Sequence, residues 1–325
     1  MRHWRSLNPL SIVLMPLAGL FWLAVSLRRW MYMRGWLVSI RLGVPVVVVG
    51  NITAGGTGKT PLVIALVKAF QRHGYRPGVV SRGYGGVEPG PRLVTADSDP
   101  GSVGDEPVLI AWKTGVPVVV GRDRVAAARL LLANSPGIDL IVSDDGLQHY
   151  RLGRSLELAV VDGAVGFGNG LPLPAGPLRE PAGRLRSADA VIVTCRQGQT
   201  CQFNFDHRRL IEVHHGAGQL YRLKNAAERK SPRHAFVGSI DAVAGIAQPE
   251  NFFTILRDCG LDIHPCPFPD HHQFAVTDLV DKRIVVMTEK DAVKCRKFAQ
   301  PDWWALEWNA YPANELTEWL AEAMR

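Results

Sequence analysis

The sequence predicts an α/β protein: a mostly parallel sheet flanked by helices, a smaller C-terminal α/β lobe and an N-terminal hydrophobic helix. Three observations carry this. Short β-branched runs alternate with helical patterns from residue 46 to about 200, as in strands joined by crossover helices. A second, shorter series follows a polar stretch (CQFNFDHRRL, RLKNAAERKSPRH) that begins near residue 200 and reads as a linker. Ahead of both, residues 7–27 carry no charge. The expected divisions are therefore 1–35, 36–200 and 201–325. The 325 residues suffice for one large or two ordinary domains. A hydrophobic content of 47% with 21% charged residues excludes a disordered chain.

The N-terminal run LNPLSIVLMPLAGLFWLAVSL has about the length that crosses a bilayer as a helix. Arg2 and Arg5 precede it, Arg28, Arg29 and Arg34 follow it, and Trp4, Trp22, Trp30, Tyr32 and Trp36 suit an interfacial zone. No clear A-x-A site marks a cleaved signal peptide. Pro16 and Gly19 interrupt a span, and basic residues at both ends give no topology bias. An interfacial or partly inserted helix with basic flanks on acidic headgroups fits best. A helix buried against the rest of the protein is the alternative.

Next comes VVVVGNITAGGTGKT, residues 46–60: an apolar strand, a glycine-rich loop, and a helical pattern opening at Lys59-Thr60. Glycines let backbone N–H groups turn onto phosphate oxygens, and the helix N-terminus adds its positive dipole end. Lys59 is placed to reach β/γ-phosphates and the Thr60 hydroxyl to ligate Mg²⁺, so ATP and Mg²⁺ are the expected cofactors. The cradle residues are Thr53, Ala54, Gly55, Gly56, Thr57, Gly58, Lys59 and Thr60. Against G-x-x-x-x-G-K-[ST], Thr53 replaces the first glycine. The strand–loop–helix context makes this a P-loop NTPase-type core, and a nucleotide found inside cells argues further against export.

Further strands are expected at 77–81, 117–120, 140–143, 156–161 and 190–194, with a helix over 124–133. In such sheets ligands sit beyond the carboxyl ends of the strands. Residues 163–186, rich in Gly, Pro, Leu and Arg, read as an ordered loop over that cleft. The second lobe offers strands at 235–237, 284–287 and 304–307. Five cysteines show no zinc spacing and no C-x-x-C pair, which fits reduced thiols.

Polar clusters follow the strands. Asp144 and Asp145 end the apolar run IDLIVSDD, where a carboxylate would meet Mg²⁺ held by Thr60; a plain Asp-Asp-Gly turn is the other reading. Gln148 and His149 follow, with open roles. Asp105, in GDEP before a helical run, is either an N-cap or a base for a substrate hydroxyl. Arg82, Arg122, Arg124 and Arg179, the last beside Glu180, gather at strand ends where guanidinium forks suit phosphate. Asp270-His271-His272 lacks a third metal ligand at convincing spacing, leaving a catalytic or a surface histidine.

Together these pieces resemble the tetraacyldisaccharide 4'-kinases, the lipid A 4'-kinases of Gram-negative bacteria. The matching segments are GNITAGGTGKTP, VVSRGYGG, GDEP, GRDR, SDDGLQH, LPAGPLREP, FPDHHQF and TEKDAVK, in family order over nearly the whole chain. One departure is Gly245-Ile246-Ala247-Gln248-Pro249, where the family pattern has Gly-Asn before the proline. The resemblance implies γ-phosphate transfer from ATP to the 4'-hydroxyl of a tetraacylated, 1-phosphorylated glucosamine disaccharide. It implies a glycolipid substrate and a peripheral or singly anchored protein on the cytoplasmic face of the inner membrane; a monomer is expected separately. Carried onto this sequence, Lys59 and Thr60 hold phosphates and Mg²⁺, and Asp144 or Asp145 completes the metal site. Asp105 is the base assisted by His271, and Arg179 and Glu180 line the nucleotide or substrate side.

The net charge of +7 suits a phosphorylated glycolipid in an acidic leaflet. No nucleic-acid partner is expected, because the aromatics do not interleave with the basic residues as a stacking platform requires. A membrane-recruited NTPase switch would share the cradle. The partitioning type, however, places a lysine where this chain has Ala54, and no Asn-Lys-x-Asp guanine motif is present.

Overall fold

β-branched runs that alternate with helices become one long sheet. A computed structural model describes residues 4, 6–83, 86, 90–279, 281 and 284–324. The basic flank Arg2 and Arg5, and Tyr84-Gly85 of the VVSRGYGG segment, lie outside the described residues. The strands are β1 (Val46–Asn51), β2 (Pro77–Ser81), β3 (Arg92–Val94), β4 (Val118–Val120), β5 (Leu140–Asp144), β6 (Leu156–Asp162) and β7 (Ala190–Arg196). They continue with β8 (Leu210–Arg222), β9 (Arg229–Lys230), β10 (Ile240–Ala244), β11 (Ile263–Pro267), β12 (Val285–Thr288) and β13 (Trp303–Tyr311). The helices are α1 (Pro9–Met33), α2 (Lys59–Arg72), α3 (Pro100–Val103), α4 (Asp105–Thr114), α5 (Arg124–Asn134), α6 (Pro249–Asp258), α7 (Glu289–Cys295) and α8 (Asn314–Ala323).

Strand order is β11-β10-β12-β13-β8-β7-β6-β1-β5-β2-β4-β3, with β9 beside β8. All pairings are parallel except β3 with β4, β8 with β13, and β8 with β9. The central strands β1 and β5 are buried throughout, as strands covered on both faces must be. One face packs on α2 and α4 through Leu62, Leu66, Phe70 and Ile110. The other packs on α5 and the 3₁₀ segment Ala182–Ser187 through Leu131 and Leu185.

Several expectations need correction. The stretch read as a linker carries β8, thirteen residues that pair parallel with β7 and antiparallel with β13, so the sheet runs through both halves. Residues 235–237 form no strand: Val237 is fully exposed, and pairing begins at Ile240, where Ile240, Ala242 and Ala244 are buried. The cysteines are not all reduced thiols, because Cys195 and Cys201 are disulfide-bonded.

The helix α1 has a mean hydropathy of 2.2 over its most apolar window, yet only 11% of that window is buried. Leu10, Ile12, Val13, Leu17, Leu20 and Leu23 are all more than half exposed, which removes the reading of α1 as a core helix. Its C-terminal half is tied to the core: Arg28 donates to the Gln148 carbonyl at 3.3 Å and Arg29 to Ser187 Oγ at 2.8 Å.

Candidate active site

The cradle loop leaves β1 at Asn51 and enters α2 at Lys59. Gly58 caps the helix in a left-handed conformation (φ 73°), and a Cβ there would fall 2.2 Å from Cε1 of the His215 ring. Only glycine fits both demands. Thr57 is anchored from below, its carbonyl accepting from Thr194 Oγ1 at 3.0 Å. Thr53 is tolerated where the motif has glycine because it is extended, bridging Leu178 in an antiparallel pair, with its hydroxyl taking a bond from Asn51 Nδ2 at 3.3 Å. The proline-rich loop clamps the cradle: Ala54 N donates to the Pro177 carbonyl and Arg179 N to the Ile52 carbonyl, both at 2.7 Å. Gly55 and Gly56 are exposed at the loop's crest, and Thr60 is buried at its base.

Two adjacent carboxylates at the end of β5 live in different surroundings. Asp145, at φ 49°, pairs with Lys59 Nζ at 3.4 Å and Arg179 Nη1 at 3.1 Å. Burial alone would raise its pKa, but these two cations hold it down to about 2. Asp144 is 1% exposed; Ser81 donates to its Oδ2 at 3.0 Å, while its Oδ1 is buried without a hydrogen-bond partner. Burial, followed by the negative charges of Glu106 and Asp145, pushes it up to about 6. An unsatisfied buried carboxylate oxygen near two more acids, at the cradle end that carries a threonine hydroxyl, is a hard-oxygen donor set that suits Mg²⁺. Arg124 is turned into the protein interior. It is buried and donates to the carbonyls of Gly121 (2.6 Å) and Asp144 (3.3 Å), fixing the β5 terminus.

Across the cleft, Asp105 opens α4. Gly104 (φ 94°) is the N-cap, so Asp105 is no cap. Its Oδ1 accepts from Glu106 N at 2.8 Å and its Oδ2 from His271 Nδ1 at 3.0 Å, 166 residues away in sequence. Burial would raise Asp105, but the His271 hydrogen bond and the charges of Lys290, His271 and Lys294 hold it below the usual carboxylate range. The same hydrogen bond raises His271, against the opposing effect of burial. His271 sits at φ 58°, its N–H bonded to the Gly245 carbonyl at 3.2 Å. Neighbouring His272 is turned to Asp278 Oδ2 at 3.0 Å and packs between Phe268 and Phe274, a structural arrangement.

The segment TEKDAVK braces this pair from α7. Lys290 pairs with Glu106, whose own charge reaches Asp144, and Lys294 Nζ lies 3.9 Å from Asp105 Oδ2 and 2.8 Å from Asp291 Oδ1. Asp291 Oδ2 in turn accepts from Gly245 N at 2.9 Å, setting the loop that holds His271. The Gly-Asn departure at Gly245–Pro249 therefore leaves this loop intact; Gln248 takes the N-cap of α6 without a side-chain cap bond. The sequence reading marks residues 288–291 without giving Lys290, Asp291 or the following Lys294 a role. Glu180, expected to line the cleft, is 1% exposed and bonded to Tyr150 and Arg184, in a hollow shared with Val25, Arg29, Trp30 and Met33 of α1.

Residues 10–325 match the LpxK family, described as tetraacyldisaccharide-1-P 4'-kinase. A tetraacyldisaccharide 4'-kinase of Thiobacillus denitrificans is 51% identical over 98% of this chain and 97% of its own length. One from Nitrosococcus oceani is 50% identical over 94% of this chain and 88% of its own. A crystal structure of LpxK from Aquifex aeolicus in complex with ATP superposes with a TM-score of 0.84 at 26% identity, covering 97% of this chain and all of that one.

Proposed function

The chain belongs to the tetraacyldisaccharide 4'-kinase family and is an ATP-dependent kinase of lipid A biosynthesis, acting on the 4'-hydroxyl of tetraacyldisaccharide 1-phosphate; from that premise we propose how its residues divide the work. The backbone of residues 53–58 cradles the ATP phosphates, and Lys59 leaves Asp145 to meet the β/γ-phosphates. Thr60 and Asp144 would hold Mg²⁺ directly, with Asp145 completing the site once Lys59 turns to phosphate. Bound there, the ion would neutralise the charge that develops on the β- and γ-phosphates during transfer. Arg179 flanks the same phosphates from the clamping loop.

Asp105 takes the proton of the sugar 4'-hydroxyl on a carboxylate oxygen as that hydroxyl oxygen bonds to the γ-phosphorus and the bond to the ADP oxygen breaks. His271, already a donor to Oδ2, keeps Asp105 ionised and oriented. The observation that carries this division is the 3.0 Å contact between Asp105 and His271, which joins the two halves at the cleft. We place the chain as a monomer on the cytoplasmic face of the inner membrane, with the exposed apolar side of α1 against lipid and Glu180 on the substrate side. The test is Asp105→Ala. It should fold and bind ATP as the parent does, yet lose about 10²- to 10⁴-fold in transfer. Near-parental turnover would remove Asp105 as the base.

A further inference from the structure

Away from the cleft, three unlike side chains converge at the edge of the sheet. Asp241 lies on β10 and His264 and Cys266 on the edge strand β11. The two strands are parallel, with Asp241 opposite His264 and Val243 opposite Cys266. Because successive strand residues alternate faces, the two-residue spacing of His264 and Cys266 puts both on one face, beside Asp241. Pro265 and Pro267 are tolerated because an edge strand has donors to spare, and they stiffen the strand that presents the two side chains.

The donor atoms form a nearly equilateral triangle. Asp241 Oδ1 lies 3.0 Å from His264 Nδ1, Cys266 Sγ 3.5 Å from His264 Nδ1, and Cys266 Sγ 3.6 Å from Asp241 Oδ1. With ordinary zinc bond lengths, the edges of a tetrahedron are about 3.3 Å between oxygen and nitrogen and about 3.5 Å from either to sulfur. The two sulfur edges already match, and the third needs an opening of a few tenths of an ångström. All three ligand atoms lie within 4.8 Å of one another. His264 is 70% exposed, so the fourth vertex opens to water, while Cys266 is largely buried.

We propose that Asp241, His264 and Cys266 form a Zn²⁺ site with water as its fourth ligand. Binding places the lone pair of His264 Nδ1 on the metal, with the ring proton on Nε2, and releases the Cys266 thiol proton to solvent. One carboxylate and one thiolate then balance the dication. Mg²⁺, which takes all-oxygen octahedra, is the wrong ion for a site containing sulfur. The site is thus chemically distinct from the cradle. It would staple the otherwise open edge strand to its neighbour, three residues before the loop that carries Asp270 and His271. The pattern escaped the sequence reading because Asp241 is 23 residues from His264 and the H-x-C spacing belongs to a strand.

Cobalt(II) separates this proposal from a plain hydrogen-bonded cluster, because only a thiolate ligand gives a near-ultraviolet sulfur-to-cobalt band. The full chain, stripped with chelator and titrated with Co²⁺, should develop that band to one equivalent and lose it when Zn²⁺ is added. Cys266→Ser should abolish it. His264→Ala, a change at an exposed side chain that should leave the circular dichroism unchanged, should weaken binding by at least the roughly tenfold that loss of even an outer-shell partner costs. Absence of the band in the parent chain overturns the site. So does its persistence in Cys266→Ser, or its loss in Cys259→Ser, Cys295→Ser or Cys195→Ser.

Discussion

Replacing His271 by alanine tests the pairing of the two halves most sharply, because an adjacent histidine provides the control. His271 Nδ1 donates to an Asp105 carboxylate that is only 5% exposed, whereas His272 donates to Asp278. A hydrogen bond to a charged group contributes about 1.5–3 kcal/mol, or about 10- to 150-fold in rate if the transition state needs it. Lys294 remains 3.9 Å from Asp105, so the carboxylate is not left alone and the loss should fall in the lower part of that range. The assay is transfer of labelled γ-phosphate from Mg-ATP to the acyl disaccharide in micelles across a pH series. His271 helps to hold Asp105 below its usual pKa, so its removal should let Asp105 rise and move the acid limb of kcat/KM toward neutrality.

Stability carries the same signature. Asp105, depressed in the fold, contributes stability that is present above its unfolded pKa and lost as pH falls through its folded value. His271, raised in the fold, contributes stability that is complete below its unfolded pKa and lost as pH rises through its folded value. His271→Ala should therefore flatten the pH dependence of Tm at both ends. A larger loss of turnover in His272→Ala, or an acid limb that does not move in His271→Ala, would refute the reasoning.

Other expectations follow from single contacts. Gly58→Ala meets both a left-handed backbone and the His215 ring, so it should destabilise the fold by about 2–4 kcal/mol by chemical denaturation. His215→Ala in the same chain should relieve the steric part and leave the conformational part, about 1–2 kcal/mol. Asp144→Asn keeps the Ser81 contact but removes the buried charge, and should raise the Mg²⁺ concentration for half-maximal transfer by about tenfold or more; an unchanged Mg²⁺ requirement would count against Asp144 as a ligand. Leu20→Glu with Leu23→Glu, at positions 66% and 63% exposed, should leave Tm unchanged yet weaken partition into vesicles containing anionic lipid. A fall in Tm would mean that this face packs on protein.

What the sequence made legible was local. The cradle is a contiguous loop whose glycines, lysine and threonine act within a few residues of one another, and α1 declares itself by composition alone. Asp105 stayed open between cap and catalyst, because what removes the cap reading, Gly104 at the cap with His271 on Oδ2, depends on backbone angles and on a contact between distant segments. The strand β8 was hidden because Gly216 and Gly218 and two histidines interrupt the alternation that marks a half-buried strand. Similarly, β11 is not among the expected strands, since its two prolines are compatible only with an edge and the sequence does not reveal that this strand lies at one. Glu180 and Arg124 are expected from sequence to face an open cleft, yet both are buried, Glu180 against Tyr150 and Arg184, and Arg124 against the carbonyls of Gly121 and Asp144.

The most direct test of the central claim is regiochemical. The parent chain and Lys59→Ala would each be incubated with Mg-ATP and tetraacyldisaccharide 1-phosphate in detergent micelles, and the lipid product read by phosphorus NMR. The account predicts a second phosphomonoester at the 4' position from the parent chain, and none from Lys59→Ala. ATP hydrolysis without a phosphorylated lipid, or equal product from Lys59→Ala, would contradict it.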